Sequence, residues 1–351
     1  MVNEVSGMIE IDGSFGEGGG QIVRTALALS VIFKRPLVLH HIRAKRKNPG
    51  LGRQHLMAAN ALAQISGAKV EGNVIGSQKV TFIPGEVCPG DYHFPIGTAG
   101  SVTLLLQALL LPLCLSRKGF RLILEGGTHV PWSPPYHYLS EILFPILHFM
   151  GLSVGGRIDQ WGWYPRGGGV IEVEVQGRPS LGPISLLERG SLRKIRGFSA
   201  ASLLPKHVAE RQREEALRRI ERELKMRAEI TILPAPPSTG PGSFLFLVTE
   251  SEGALAGFSS LGRRGKGAEE VAGEAVDSLK DYLEAEGCID PYLADQLIPF
   301  MAVAKGNSSF TTTRITEHLL TNLWVIQHFK NVKISMTGEK GKEGKVELFN
   351  E

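Results

Sequence analysis

A histidine at the start of an expected helix, a lone glutamate inside a glycine-rich turn, and a cationic loop with no acid are the residues here best suited to chemistry. His318 stands in TTTRITEHLLTN (311–322), where Thr313 or Thr316 is available to cap a helix over 316–329. A helix N-terminus disfavours imidazolium, so an imidazole there stays neutral and nucleophilic near physiological pH. Such a histidine serves either as a covalent nucleophile or only as a hydrogen-bonded surface group, and the residues alone leave both open. Glu17 is the carboxylate of DGSFGEGGGQIVR (12–24), which packs five glycines between a strand at 8–12 and a helix at 21–33. Glycines at a strand-to-helix turn permit a sharp bend and present bare N–H groups, a geometry that holds phosphate oxygens. The spacing is not that of GxGxxG, because Gln21 takes the sixth place, nor that of a P-loop, which needs Gly-Lys-Ser/Thr. A glycine turn without any ligand is the plain alternative.

The loop IRAKRKNPGLGRQ (42–54) collects Arg43, Lys45, Arg46, Lys47 and Arg53 without a carboxylate. Paired guanidinium donors clamp phosphates, so the loop suits a triphosphate or the 3' end of an RNA, although charge runs are often only solvated surface. In EGGTHVPWSPP (125–135), His129 and Trp132 either pack on a nucleobase or cap the domain. In DPYLADQLIPFMA (290–302), Tyr292, Asp295 and Gln296 fall on one face of an otherwise apolar helix and require hydrogen-bonding partners. No HExxH, EF-hand loop or cysteine–histidine cluster occurs, so a divalent ion is expected only with a nucleotide, held by phosphates and a carboxylate such as Glu17.

These residues sit in a chain of 351 with 42% hydrophobic and 21% charged residues, enough for about two domains with sizeable cores. A net charge of +4 excludes a histone-like excess but permits local polyanion-binding patches. Cys88, Cys114 and Cys288 form neither a CxxC pair nor an even set, which fits a reducing, cytoplasmic setting. No signal peptide is expected, and the most apolar segment, 102–115, is too short to span a bilayer. No membrane partner is therefore expected.

Hydrophobic periodicity predicts helices at 21–33, 53–66, 101–115 and 136–150 and strands at 36–42, 69–74, 79–83, 91–95, 120–124, 152–158 and 170–175. They form two similar β-α-β-α-β-β units, each with a glycine turn before its first helix. A third unit begins with a strand at 183–187 and resumes with a helix at 291–304, a strand at 309–313, the helix at 316–329 and strands at 332–337 and 345–349. Between them lies an inserted α/β segment with strands at 193–200, 228–233 and 243–250 and helices at 207–225 and 269–286. Its proline-rich connection, 234–241, is expected to be exposed and mobile. The fold class is thus α+β (α/β). The expected division is 1–184 for two units and the start of the third, 185–284 for the insert, and 285–351 for the remainder.

Taken together, DGSFGEGGGQIVR, IRAKRKNPGLGRQH, IGTAGSVTLLLQ, EGGT…PPYHYL, YPRGGG, PKHVAER, YLADQLIPFMA and EHLLTNL resemble the RNA 3'-terminal phosphate cyclases over nearly the whole chain. The resemblance implies a large domain of three β-α repeats with a small thioredoxin-like insert. The repeat itself is similar to that of the enolpyruvyl transferases, so architecture alone leaves function undecided. It implies that His318 is a nucleophile adenylylated by ATP, with AMP then passed to an RNA 3'-phosphate that cyclises onto its 2'-OH. Glu17 matches the carboxylate of the metal–nucleotide site, and Arg24, Arg43 and Arg46 match phosphate-binding arginines. Gln54 and Gln107 match polar groups near nucleotide and metal, while Pro134, Tyr292, Asp295 and Gln296 match the nucleotide pocket. ATP, magnesium or manganese, and RNA ending in a 3'-phosphate are the implied ligands. Oligomeric state stays open, a homodimer included. Glu317, beside the nucleophile, departs locally and would push the imidazole pKa upward. The main competing readings are a non-catalytic cyclase-like factor of ribosome assembly, against which His318 argues, and a small-molecule transferase, against which the basic loop argues. A lysine-dependent nucleotide ligase is rejected because residues 10–13 read EIDG rather than KxDG.

Overall fold

The computed structural model describes residues 7–178, 180–234 and 236–350. It is a mixed α/β structure with four four-stranded sheets. The first runs Ile9–Asp12, Leu37–His40, Val80–Ile83, Lys69–Glu71 across its width, with the first pair parallel and the others antiparallel. The second, Gly90–Pro95, Gly119–Gly126, Gly169–Gln176 and Ser153–Gln160, has the same order and directions. So does the third, Ser185–Leu186, Ser308–Thr312, Gly344–Phe349 and Lys333–Gly338. Its first two strands are separated by more than a hundred residues of chain, and Ser185–Leu186 stays with this sheet.

The fourth sheet contains Glu229–Ile232, Leu192–Ser202, Gly242–Ser251 and Leu255–Leu261. Successive side chains of a strand point to opposite faces, and Gly242–Ser251 uses both. Leu245 and Leu247 pack with Ala216, Ile220 and Val271 of two helices, whereas Phe244, Phe246 and Val248 join the large core. The strand Leu255–Leu261 was not anticipated, because its small residues give no alternating signal. The connection 236–241, half of it exposed, is held at three points. Trp161 N–H donates to Pro237 O at 2.8 Å, Thr239 Oγ1 to Gly167 O at 2.9 Å, and Arg166 Nη1 to Thr239 O at 2.9 Å. This connection is strapped to the turn at 161–168.

The helix Gly20–Phe33 is buried from Ile22 to Val31, the expected state of a helix apolar on all sides. It packs against Arg53–Ser66, Val102–Leu115 and Glu317–Phe329. The helical stretch 136–149 is broken by a π turn at Leu139–Leu143, next to Pro145, which lacks the N–H needed to continue a regular ladder. Among the described residues no helix is long and apolar enough to cross a membrane.

The helix Pro291–Val303 is set by its cap. Asp290 accepts from the N–H of Tyr292 (2.9 Å) and Leu293 (3.0 Å), and Tyr138 Oη donates to both its oxygens at 2.8 and 3.0 Å. Burial nevertheless pushes the Asp290 carboxyl up to about 6. Tyr138→Phe removes a donor from a buried carboxylate, and a loss of about 1–3 kcal/mol of unfolding free energy is expected. Denaturant unfolding checks this; an unchanged midpoint would show that the cap does not depend on Tyr138.

Candidate active site

The loops that follow the first and second strands of the first two sheets meet at the start of the helix Glu317–Phe329. They enclose a cleft of about 580 Å³ lined by Glu17, Arg24, Arg43, Arg46, Gln54 and His318 among others. The glycine loop closes tightly over its neighbours. Gly16 has φ of 56°, and a Cβ there would meet Thr321 Oγ1 at 2.6 Å; at Gly20 it would meet His55 Nε2 at 2.0 Å. Phe15 anchors the loop by stacking on Trp324, ring centroids 4.0 Å apart. Lys45 Nζ donates to Gly16 O at 2.9 Å, which ties the basic loop to the glycine loop.

His318 is the second residue of its helix. Thr316 is the cap, accepting from Leu319 N–H at 2.9 Å and donating to Asp295 Oδ1. His318 Nε2 lies 3.6 Å from Glu17 Oε1, too far for a hydrogen bond but close enough for charge to act. Burial lowers the imidazole pKa, Glu17 opposes this, and Arg24 and Arg46 lower it further. Glu317 also raises it, yet the net direction is down, so the upward push expected from Glu317 does not prevail. Its carboxylate is paired with Lys340 at 2.7 Å. His318 is therefore neutral at physiological pH.

Arg24 is buried at 8% exposure, and burial pulls its guanidinium down to about 10. Nη2 donates to Gln21 Oε1 at 2.8 Å, and no carboxylate pairs with it among the described residues. A buried cation without an anion is costly unless the site receives one. Arg46 Nη2 reaches Glu17 Oε2 at 3.0 Å, and Arg43 Nη1 donates to Gly50 O at 2.7 Å from a left-handed backbone. Glu17 is the one carboxylate among the described residues lining the cleft.

Gln54 Oε1 accepts from Ser101 N–H at 3.0 Å, locking the second glycine turn to the cleft wall. Gln107, Asp295 and Gln296 line a smaller adjoining cavity of about 40 Å³, which shares Gln21 and Arg24 with the cleft. Gln107 Nε2 donates to Gln296 Oε1 at 2.6 Å, which supplies a partner for Gln296 on that helix face. Burial pushes Asp295 up to about 8, against the Thr316 hydrogen bond, and Asp290 and Glu17 raise it further. Pro134 and Tyr292 line neither cavity. The Pro134 carbonyl accepts from Thr103 Oγ1 at 2.8 Å, and the exposed Tyr292 ring meets Tyr138 edge-on at 6.4 Å.

His129 and Trp132 part company. His129 is buried, stacked on Trp161 at 4.1 Å and 2° within a cluster that includes Phe244, so it belongs to the core. Trp132 stands 93% exposed on the cleft wall with φ of 60°. Sequence reasoning missed Gln21, His55 and Asn322. His55 lines the cleft with a buried Nδ1 that has no partner among the described residues. Burial and then Arg24, Arg43 and Arg46 drive its pKa to about 3. A metal-capable trio, Asp12, His40 and His41, also went unforeseen because the strands that bring it together are distant in sequence.

The donor set fits a polyphosphate: three arginines, an uncapped helix start at Gly20, an orphaned imidazole nitrogen and one carboxylate. A divalent ion would find Glu17 as its protein ligand, with the remaining oxygens supplied by phosphates.

The family model described as RNA 3'-terminal phosphate cyclase matches residues 15–336. The chain is 42% identical over 346 residues to the RNA 3'-terminal phosphate cyclase of Methanopyrus kandleri, covering 97% of this chain and 98% of that protein. It is 43% identical to that of Staphylothermus marinus, over 97% and 98% of the two chains. Identity to the Caldivirga maquilingensis protein of the same name is 45%, over 93% and 94%. Both the arrangement of the cleft and these matches along almost the full length lead to one conclusion: the chain belongs to the RNA 3'-terminal phosphate cyclase family.

Proposed function

We propose that this chain is an ATP-dependent ligase that converts an RNA 3'-terminal phosphate to a 2',3'-cyclic phosphodiester, with His318 as covalent nucleophile. The observation that carries the reading is the His318 imidazole facing Glu17 at 3.6 Å, its pKa lowered by burial, in a cleft whose buried Arg24 pairs with no carboxylate among the described residues. The unprotonated ring nitrogen of His318 forms an N–P bond to the α-phosphorus of ATP, and the α–β P–O bond breaks to release pyrophosphate. Arg24, Arg43 and Arg46 bind the phosphate oxygens and neutralise charge that builds on them. The RNA 3'-phosphate then takes AMP from His318, giving a mixed anhydride. Attack by the neighbouring 2'-OH closes the cyclic phosphodiester and expels AMP, the leaving group that a bare terminal phosphate lacks.

A magnesium or manganese ion, when bound at Glu17 with the nucleotide, supplies charge neutralisation on the phosphates. Gln107, Asp295 and Gln296, with Pro134 and Tyr292, are assigned to the nucleoside end of the site. The same reading takes the three sheets of common order as three repeats, the third opened at about residue 187 by a thioredoxin-like insert that ends near 285. It places the protein in the cytoplasm, as the scattered free cysteines suggest. A homodimer is compatible with this reading.

His318→Ala should reduce covalent labelling from α-³²P-ATP by about 10³-fold or more while the circular dichroism spectrum is retained, because a half-buried residue at a helix start contributes little packing. Full labelling of that variant would displace His318 as nucleophile. Glu17 raises the His318 pKa, so Glu17→Gln should move the acid limb of the single-turnover labelling profile to lower pH, whatever it does to the plateau. A limb that stays put or moves up would contradict the pairing. Asp295, pushed up to about 8, is mostly protonated at pH 7. Asp295→Asn should therefore label within about fivefold of the parent, roughly 1 kcal/mol, whereas Asp295→Ala removes the oxygen that holds the Thr316 cap and should fall further. Equal losses in both variants would mean that the ionised carboxylate is what counts.

A further inference from the structure

We propose that the groove between the large body and the Leu192–Glu284 segment receives the single-stranded RNA immediately 5' of the reacting end. This rests on the cyclase reading above and extends the same site. The groove has a volume of about 820 Å³ and adjoins the cleft, since Pro131 and Tyr164 line both. A substrate whose terminal phosphate reaches His318 must leave the cleft somewhere, and this is the neighbouring open space with a matching surface.

The match is chemical. Arg211, Arg263, Arg264 and Lys266 line the groove, and no carboxylate does among the described residues. Arg211 is committed to Glu269 at 2.7 Å, and Lys266 is paired with Glu274. Arg263 and Arg264 are exposed on the turn after Leu255–Leu261 and make no ion pair among the described residues. Two cations left to solvent beside an apolar floor suit phosphates flanking stacked bases. The apolar part comes from both sides: Pro165 from the large body, Leu204 and Val208 from the smaller segment.

The route between cleft and groove carries two exposed rings. Tyr164 is 64% exposed, and Trp132, at 93%, stands on the cleft wall with a left-handed backbone. An indole held in solvent at a backbone conformation that bulky residues avoid is maintained against two costs, and a base that stacks on it recovers the first. A folded peptide partner would favour carboxylates opposite the arginines and has no reason to follow the wall into a phosphate-binding cleft. Single-stranded RNA does, because its reactive phosphate is the end of the same strand.

The test uses the full chain with Arg263→Glu and Arg264→Glu combined, neither of which lines the cleft. Three readouts are compared with the parent: labelling from α-³²P-ATP, cyclisation of a 3'-phosphorylated dinucleotide, and cyclisation of a 3'-phosphorylated oligoribonucleotide of about ten residues at several salt concentrations. Labelling and dinucleotide turnover should be unchanged. For the oligonucleotide, KM should rise about tenfold and the log–log salt slope should flatten by about 1.4, two phosphate contacts at about 0.7 each. An unchanged KM and slope for the oligonucleotide, with labelling intact, would overturn the groove assignment and direct attention to a protein partner for it. A parent protein that neither labels nor cyclises either substrate would instead remove the underlying cyclase reading, and the groove assignment with it. Trp132→Ala should raise the oligonucleotide KM with its salt slope unchanged, separating stacking from charge; a parent-like KM would leave the indole out of the path.

Discussion

The site depends on one buried amide. Asn322, fully buried on the helix that carries His318, accepts from Gln21 Nε2 at 2.9 Å and from Thr25 Oγ1 at 2.7 Å, and donates to the Asp295 carbonyl at 2.8 Å. Three helices are thus joined by hydrogen bonds that all need the same rotation of Glu317–Phe329. Asn322 lies one helical turn after His318, on nearly the same face. Fixing the amide therefore fixes where the imidazole points. A wrong rotation would leave a buried amide and hydroxyl unpaired, a penalty of about 1–3 kcal/mol for each group. Apolar packing alone tolerates small slides between helices; a satisfied polar network does not.

Gln21 extends that network to the charge that matters most. Its amide nitrogen reaches Asn322 while its oxygen receives Arg24 Nη2. The guanidinium is consequently held in the cleft with His318 by a neutral partner. A carboxylate in the same place would neutralise it and compete with an incoming phosphate. The neighbouring acids follow the same logic: Asp295, pushed up by burial, contributes a hydrogen-bond acceptor to the Thr316 cap at little negative charge. Among the described residues Glu17 alone brings an anion to the cleft, opposite both His318 and Arg46.

The sequence made the regular elements legible wherever periodicity was strong, as in Gly20–Phe33 and Val102–Leu115, and the cationic and glycine loops were visible from composition. Of the residues it singled out, Glu17, Arg24, Arg43, Arg46, Gln54 and His318 line the cleft, and each sits in or beside a loop with an unusual residue mix. The missed groups have an ordinary local signature. Gln21, His55 and Asn322 look like polar residues on helices, and only contacts that span up to 301 positions give them a purpose. The strand Leu255–Leu261 escaped because its pairing with Gly242–Ser251 supplies what its own composition does not. His129 had two readings, base contact or packing within the domain, and its ring takes the second, completing the cluster of Trp161 and Phe244.

That cluster explains why cleft and groove keep a fixed relation. Trp161 and Trp163 from the large body pack with Phe244, and a Cβ at Gly242 would come within 2.1 Å of Trp163. The strand Gly242–Ser251 hence presses its backbone directly on the indole, and the alternate side chains Phe244 and Phe246 continue the contact into the main core. The strap at 234–241 adds hydrogen bonds on the same side. A segment joined through so large an apolar surface is not free to swing as a lid, since opening it would expose several aromatic side chains at about 25 cal/mol per Å². The smaller sheet acts as a wall, and the groove keeps one shape beside the cleft.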